Sequence, residues 1–327
     1  MTPAPTTMPP PHTPSTHAQS PASPHTSPHT SRAPLLIVSD VDGTLIDERG
    51  QLPCTPVALR ALLAALAAAR GAPVLVALAS SRTMRELTVL QRALGLYGPC
   101  IAEDGALLGV DVGRRGAVPF GVEQHDHIDV TDDPAWTAIT NAGRRTLALQ
   151  SFAVDSAALD RMMNDCSAFQ HADVRRLGAA EWKSLGFRTP ASVRRALAAR
   201  HHSILLDPEV LDVDALNTLH DFTARQALQL RRGGRWLTLT AASGKGAALR
   251  ALRHNARLDG VPPLIVAVGN EENDISLLAE ADLRFVIRNP HRGPHESLAS
   301  LPGAVVLSPE GPGGWIDMLN RLHLVAT

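Results

Sequence analysis

Four stretches of this chain are apolar at every position and too short for helices: LLIV at 35–38, VLVALA at 74–79, CIA at 100–102 and LIVAV at 264–268. A strand that meets water on one face alternates apolar and polar residues. Continuous runs of this length therefore read as strands covered on both faces, the habit of parallel sheets. Helical patterns separate them. VALRALLAALAAAR follows Thr55-Pro56, an N-cap residue and then proline at the first helical position, and Gly71 closes it. MRELTVLQRALG lies between the second and third runs, and PCIAEDGALLGV carries the third run into a turn. Strand, helix, strand, helix, strand predicts a parallel sheet with right-handed crossovers.

The alternation resumes much later. GAALRALRHNARL is a helical pattern, PLIVAVG a buried strand, DISLLAEA a short helix and RFVIRN a strand; PHESLASL, AVVL and GGWIDMLNRLH complete it as helix, strand and helix. Between about 109 and 235 the pattern changes to mixed strands (ALQSFAV, SILLD), two helices (ALDRMMNDCSAF and TPASVRRALAARH) and many charges. The expected architecture is α/β: a Rossmann-like parallel core at 34–108 and 236–327 with helices on both faces, interrupted by a smaller α+β domain at 109–235. Residues 1–33 hold no acid and a single arginine among proline, serine, threonine and histidine. Such a tract cannot bury enough apolar surface to offset its ordering entropy, so it is expected to be disordered. His12, His17, His25 and His29 in it read as compositional drift rather than a metal site.

Several function classes fall away. A formal net charge of −1 gives no basic footprint for nucleic acid or an anionic membrane, and 3% aromatic residues offer little for stacking bases. Cys54, Cys100 and Cys166 are far apart, which excludes a disulfide scaffold or cysteine zinc site and suits a reducing compartment, the cytoplasm. No apolar run reaches the roughly 18 residues that span a bilayer. The oligomeric state leaves no mark on the sequence.

Chemistry gathers at the strand ends. Asp40 and Asp42, in Asp40-Val41-Asp42-Gly43-Thr44, follow the first strand directly. Two carboxylates so close raise each other's pKa unless a cation or a shared proton intervenes. Ser80 ends the second strand, Lys245 opens a helix in Ser243-Gly244-Lys245-Gly246, and Gly269-Asn270-Glu271-Glu272-Asn273-Asp274 follows LIVAV. A parallel sheet brings these ends to one edge, where α/β folds bind ligands. A nucleophilic carboxylate, an acid/base, a hydroxyl, a cation and a polar loop suit phosphoryl transfer, in which catalysis is mostly positioning and charge neutralisation. Each piece alone has a plain reading. Asp-Gly is a turn, Ser80 a strand-end residue, and Lys245 a solvated lysine; the sequence around Lys245 is not a P-loop. His125-Asp126-His127 with Asp129 reads as a polar loop, because no further partner stands at ligand spacing.

D-x-D-G-T, serine, lysine and G-[DN]-x-x-N-D in this order resemble the haloacid dehalogenase superfamily of phosphatases, and the insertion resembles that superfamily's type IIB cap. Finer details resemble the mannosyl-3-phosphoglycerate phosphatase family: Ser80-Ser81-Arg82-Thr83, Glu181 to Arg200, Gly233-Gly234-Arg235-Trp236 and Glu310-Gly311-Pro312-Gly313-Gly314-Trp315. The resemblance implies that Asp40 attacks phosphorus to give an aspartyl-phosphate, and that Asp42 protonates the leaving oxygen and then activates water. It implies Mg²⁺ held by Asp40, the Asp42 carbonyl and the loop with Asn270 and Asp274, and phosphoryl oxygens held by Ser80 and Lys245. Thr44, Ser81, Arg82, Arg200, Arg235 and Asn273 are the implied substrate contacts, with the arginines as candidates for a glycerate carboxylate. Two departures stand out. Asn270 replaces the family's usual aspartate, a weaker ligand for a hard cation, and Arg200-His201-His202-Ser203-Ile204 lacks a glutamate after the serine. The implied function is a Mg²⁺-dependent phosphatase acting on a sugar-linked phosphoglycerate, a small-molecule phosphoester. A general sugar-phosphate phosphatase or phosphomannomutase-like enzyme, and a phospho-ligand binder that has lost turnover, stay open beside it.

Overall fold

The five residues of β1 (Leu35–Ser39) are all buried, and their side chains alternate between two cores. In the computed structural model, which describes residues 32–47, 49–111, 136–141, 146–178, 182, 197, 200–233, 236–258 and 260–324, Leu35 and Ile37 face one layer of helices and Leu36 and Val38 the other. That two-sided burial is why the run is apolar throughout. Helix α1 (Pro56–Arg70) starts where Thr55 Oγ1 accepts from Ala58 N and ends at Gly71 in left-handed backbone. β2 (Val74–Ala79), α2 (Met84–Leu94) and β3 (Cys100–Ala102) follow, and Thr83 and Glu86 form a reciprocal capping box at the start of α2.

The expected third strand is two. β3 turns through Glu103–Gly105 into β4 (Leu107–Asp111), which pairs with it antiparallel. β5 (Trp136–Asn141) and β6 (Thr146–Ser151) continue that antiparallel extension, so the strand ALQSFAV belongs to the large sheet. The expected helix ALDRMMNDCSAF is also two, α3 (Ser156–Met163) and α4 (Ser167–Ala172). It breaks at Asn164-Asp165, residues whose side chains compete with helical hydrogen bonds, and Gln170 Nε2 ties the break by donating to Asn164 O at 2.6 Å. The helix expected at TPASVRRALAARH lies almost wholly outside the described residues.

β7 (Ser203–Leu206), α5 (Val213–Arg225), β8 (Gln229–Gly233) and β9 (Trp236–Thr240) come next. The chain then returns through α6 (Lys245–Asn255), β10 (Leu264–Gly269), α7 (Ile275–Ala279), β11 (Leu283–Arg288), α8 (Glu296–Ala299), β12 (Ala304–Glu310) and α9 (Gly313–Leu324). Among the described residues the large sheet runs β12-β11-β10-β1-β2-β3-β4-β6-β5, parallel from β12 to β3; the small sheet is β7-β9-β8, antiparallel. The fold is thus α/β with a mostly parallel central sheet, as expected. One face is filled by α1, α2 and α9 through Leu59, Leu63, Leu87, Trp315 and Met318. The other is filled by α6, α7 and α8 through Leu249, Leu252, Leu277 and Leu298. A third core joins the small sheet to α3, α4 and α5 through Leu159, Phe169, Ile204, Leu219 and Leu239. The junctions expected near 108 and 235 fall inside β4 and against the first residue of β9.

Candidate active site

β1 sits between β10 and β2, and the chain leaves each at the same edge: Asp40 after β1, Ser80 after β2, Asn270 after β10. Asp40 N donates to Val268 O at 2.9 Å, which fixes the backbone as it leaves the sheet. Lys245, fully buried at the first turn of α6, donates from Nζ to Asp40 Oδ1 and to Asp274 Oδ1, each at 2.7 Å. Asp274 Oδ2 in turn accepts from Asn270 N at 3.0 Å and Glu271 N at 3.2 Å. Burial and then the charge of Asp274 push the Asp40 carboxyl up to about 7, while Lys245 pulls it back. Burial opposes the charge on Lys245, but Asp274, Asp40 and Asp104 outweigh it and hold that ammonium above its ordinary value. Removing one member of such a buried set strands charge in the interior, at a cost of about 3–5 kcal/mol.

A cleft of about 1060 Å³ opens over this edge. Of the sequence-derived site residues, Asp40, Asp42, Ser80, Ser81, Arg82, Arg200, Asn270 and Asn273 line it. Thr44, Lys245 and Asp274 stand behind that lining: all three are buried, and Thr44 Oγ1 donates to Asn270 Oδ1 at 3.1 Å. Arg235 lies outside the described residues, as do His125, Asp126, His127 and Asp129. Arg82 is placed differently from a plain substrate contact. Its Nε and Nη2 donate to Asp42 Oδ2 and Oδ1 at 2.9 and 2.7 Å, a bidentate pair. Asp42 is half exposed, so the pair adds little to stability, and its consequence is to fix where the Asp42 carboxylate points. Arg200 Nη1 donates to Ser203 Oγ at 3.1 Å, and Asn273 Nδ2 donates to Asp104 Oδ1 at 2.9 Å.

Sequence reasoning gave no role to four residues. Glu103 and Asp104 are buried at the end of β3, and Asp-Gly there was legible only as a turn. Gly105 is required by its surroundings: at φ 96° it packs so close that a side chain would collide with the Gly244 carbonyl. Trp182 and Trp236, whose rings meet edge-on at 6.4 Å, form the wall of the cleft opposite Asp40's sheet edge together with Val174 and Leu205. They come from distant parts of the sequence, and no local pattern links them.

A hard divalent cation takes oxygen ligands, and Mg²⁺ keeps several waters while using one or two carboxylates and substrate phosphate. Asp40 offers the oxygen that Lys245 does not take, and Asn270, also in the cleft lining, offers the second lone pair of the amide oxygen that accepts from Thr44. With the Asp42 carbonyl these donors fit such an ion, held by fewer carboxylates than usual. Asp274 has one oxygen on Lys245 and the other on two backbone amides, so its charge supports the site from behind. Among the described residues no three His, Cys, Asp or Glu side chains converge as a metal site by themselves.

A sequence model of haloacid dehalogenase-like hydrolases matches residues 37–115. Among solved structures, a phosphatase of the haloalkanoate enzyme superfamily from Bacteroides thetaiotaomicron superposes with a TM-score of 0.56 at 15% identity, over 92% of this chain and 99% of its own. A Thermoplasma acidophilum protein gives 0.54 at 13% identity, over 90% and 100%. The sucrose-phosphatase of Synechocystis, solved with sucrose and phosphate, gives 0.50 at 17% identity, over 89% and 98%. By sequence this chain is similar to haloacid dehalogenase-like hydrolases over residues 37–115, and it shares its fold with these solved structures over 89–92% of its length.

Proposed function

We propose that this protein is a phosphatase that cleaves a phosphoric monoester through an aspartyl-phosphate on Asp40, with the small sheet β7-β9-β8 and the helices packed on it, rather than the whole of 109–235, acting as an inserted cap of type IIB that selects the ester. The observation that carries the reading is the buried Asp40–Lys245–Asp274 set at a strand end, with Asp42 two residues on and Ser80 lining the same cleft. The Asp40 carboxylate attacks phosphorus, and the bond from phosphorus to the leaving oxygen breaks as Asp42 delivers a proton to it. Water then attacks the aspartyl-phosphate, Asp42 takes its proton, and phosphate and free Asp40 result. Two easier steps replace one very slow hydrolysis. Lys245 and Ser80 offset the charge on the phosphoryl oxygens, and Arg82 aims Asp42. Asp40, the Asp42 carbonyl and Asn270 would hold a Mg²⁺ ion, which would supply charge neutralisation for the attack of one anion on another.

The substrate proposed is mannosyl-3-phosphoglycerate. The cleft is far larger than a phosphate group needs, and its far wall joins tryptophan faces to the Arg200 guanidinium, apolar surface beside a carboxylate-binding fork. Similarity in fold to two phosphatases, one solved with a sugar and phosphate, supports the general class. The test is a panel of phosphoesters, mannosyl-3-phosphoglycerate, sucrose 6-phosphate, mannose 1-phosphate and p-nitrophenyl phosphate, with and without Mg²⁺. Phosphate release should be fastest from mannosyl-3-phosphoglycerate and should need Mg²⁺. Asn270 favours one rival, a protein that binds phospho-ligands without turning them over. Tight binding with no phosphate released from any ester would establish that rival and overturn the phosphatase reading.

A further inference from the structure

Glu103 is 1% exposed, yet its carboxylate accepts three hydrogen bonds from a segment 98 to 100 residues away. Oε1 takes His201 N at 3.0 Å; Oε2 takes His202 N at 3.0 Å and Ser203 Oγ at 2.6 Å. These three residues lead into β7, the strand that starts the small sheet. The same segment is held by Ser156 N donating to His201 O at 2.7 Å and Thr240 Oγ1 donating to His202 O at 3.1 Å. Glu103 is therefore where the large sheet grips the root of β7.

The next residue reaches the opposite way. Asp104 is fully buried, and its Oδ1 accepts from Asn273 Nδ2 in the loop after β10. Its Oδ2 has no hydrogen-bond partner among the described residues. Glu103 and Asp104 both adopt left-handed backbone, φ 50° and 56°, which non-glycine residues hold only when their surroundings impose it. Backbone bonds do so here: Glu103 N donates to Arg82 O at 2.9 Å and Asp104 N to Ser80 O at 3.1 Å. One rigid two-residue turn thus touches the Ser80–Arg82 loop, the Asn273 loop and the root of β7. Arg200, which lines the cleft, joins the set through Ser203 Oγ.

We propose that Glu103 is a positioning residue for the phosphatase reaction: its carboxylate registers the root of the cap's β7 against the reactive edge, and Asp104 transmits that registration to Asn273. The inference rests on the phosphatase reading, since it assigns Arg200's side of the cleft to substrate selection. A carboxylate suits the task because two oxygens in one plane meet two successive backbone amides. A purely structural glutamate would satisfy the amides of a bend; it would leave Asn273 independent of His201 and His202.

Glu103→Gln separates these cases, because it keeps the volume and turns one accepting oxygen into a donor facing donors. Amide hydrogen exchange should accelerate about tenfold at His201 and His202 and also, by a smaller factor, at 271–274, with β1 and α1 unchanged. The kcat for mannosyl-3-phosphoglycerate should fall about tenfold, and that for p-nitrophenyl phosphate far less. Ser203→Ala, which removes one of the three bonds, should shift both readouts the same way by less. Faster exchange at 201–203 with none at 271–274, or equal kinetic losses on both esters, would overturn the proposal. A wild-type protein that hydrolyses neither ester would sink the phosphatase reading alone, and the exchange result would still decide whether Glu103 and Asn273 are coupled.

Discussion

The edge of the large sheet and the small-sheet half meet across one cleft, but they are built on different plans. At the edge, each functional side chain stands within a few residues of a strand end: Asp40 and Asp42 after β1, Ser80 and Arg82 after β2, Asn270 and Asn273 after β10. Their positions follow from the sheet, so the reactive centre is as rigid as the parallel core behind it. On the other side the wall is Trp182, Trp236, Val174, Leu205 and Arg200, drawn from a 3₁₀ turn, a helical residue, a loop and two antiparallel strands. A surface assembled that way can change composition without disturbing Asp40. Under the proposed reading the difference is a division of labour: bond cleavage belongs to the edge and choice of ester to the wall.

The comparison breaks most sharply on the nucleophile. Asp40→Asn keeps the shape but cannot form the acyl-phosphate, so turnover of mannosyl-3-phosphoglycerate and of p-nitrophenyl phosphate should fall together, by at least ~10⁴-fold. Thermal denaturation should still show a cooperative fold, at a lower melting temperature because Lys245 loses one of its two carboxylate partners. Residual turnover above a trace on either ester would remove Asp40 from its role. Arg200→Ala addresses the wall. It should raise KM for mannosyl-3-phosphoglycerate by about 10–100-fold, the worth of a charged hydrogen bond, and change p-nitrophenyl phosphate hydrolysis little. Matching losses on both would make Arg200 part of the framework through Ser203.

How much of this could be read from residues alone follows the same division. The D-x-D-G-T stretch, the serine and the Asn270 loop carry their context with them, because a continuous apolar run before each one marks a strand end. Thr55 and Gly71 mark the ends of α1 by local capping, which needs no distant partner. Glu103 was invisible for the opposite reason: in Ala102-Glu103-Asp104-Gly105 nothing local separates a turn from a clamp, and its partners are about a hundred residues away. The two tryptophans are likewise paired only by folding. Arg82 shows an intermediate case. Its place after β2 was legible, but its partner was not, since only the adjacency of β1 and β2 sets it against Asp42.

That pairing yields a third test. Lysine at 82 keeps the charge and loses the fork that holds both Asp42 oxygens. Arg82→Lys should therefore lower kcat on both esters by about tenfold with KM nearly unchanged, as expected of a residue that aims the acid/base. A rise in KM confined to the phosphoglycerate ester would instead move Arg82 to the selecting side and blur the division.

The smallest effect, and the one that touches the metal, belongs to Asn270. It is nearly buried, its Oδ1 takes the Thr44 hydroxyl, and its Nδ2 packs beneath Gly43. Asn270→Asp fits the same space and still accepts from Thr44, so packing should survive. Electrostatics changes: a third carboxylate joins Asp40 and Asp274 around the single ammonium of Lys245. Without a divalent ion the added repulsion should lower the melting temperature. With Mg²⁺ the new hard oxygen should bind it, so the gain in melting temperature on adding Mg²⁺ should exceed that of the wild type. The Mg²⁺ concentration for half-maximal turnover should also fall, by roughly threefold or more. Titrating both proteins by thermal denaturation and by activity gives two independent readings. If Mg²⁺ shifts neither melting curve, the ion does not bind at this edge. If it shifts both alike, Asn270 lies outside its ligand shell and the low carboxylate count is a property the rest of the site already accommodates.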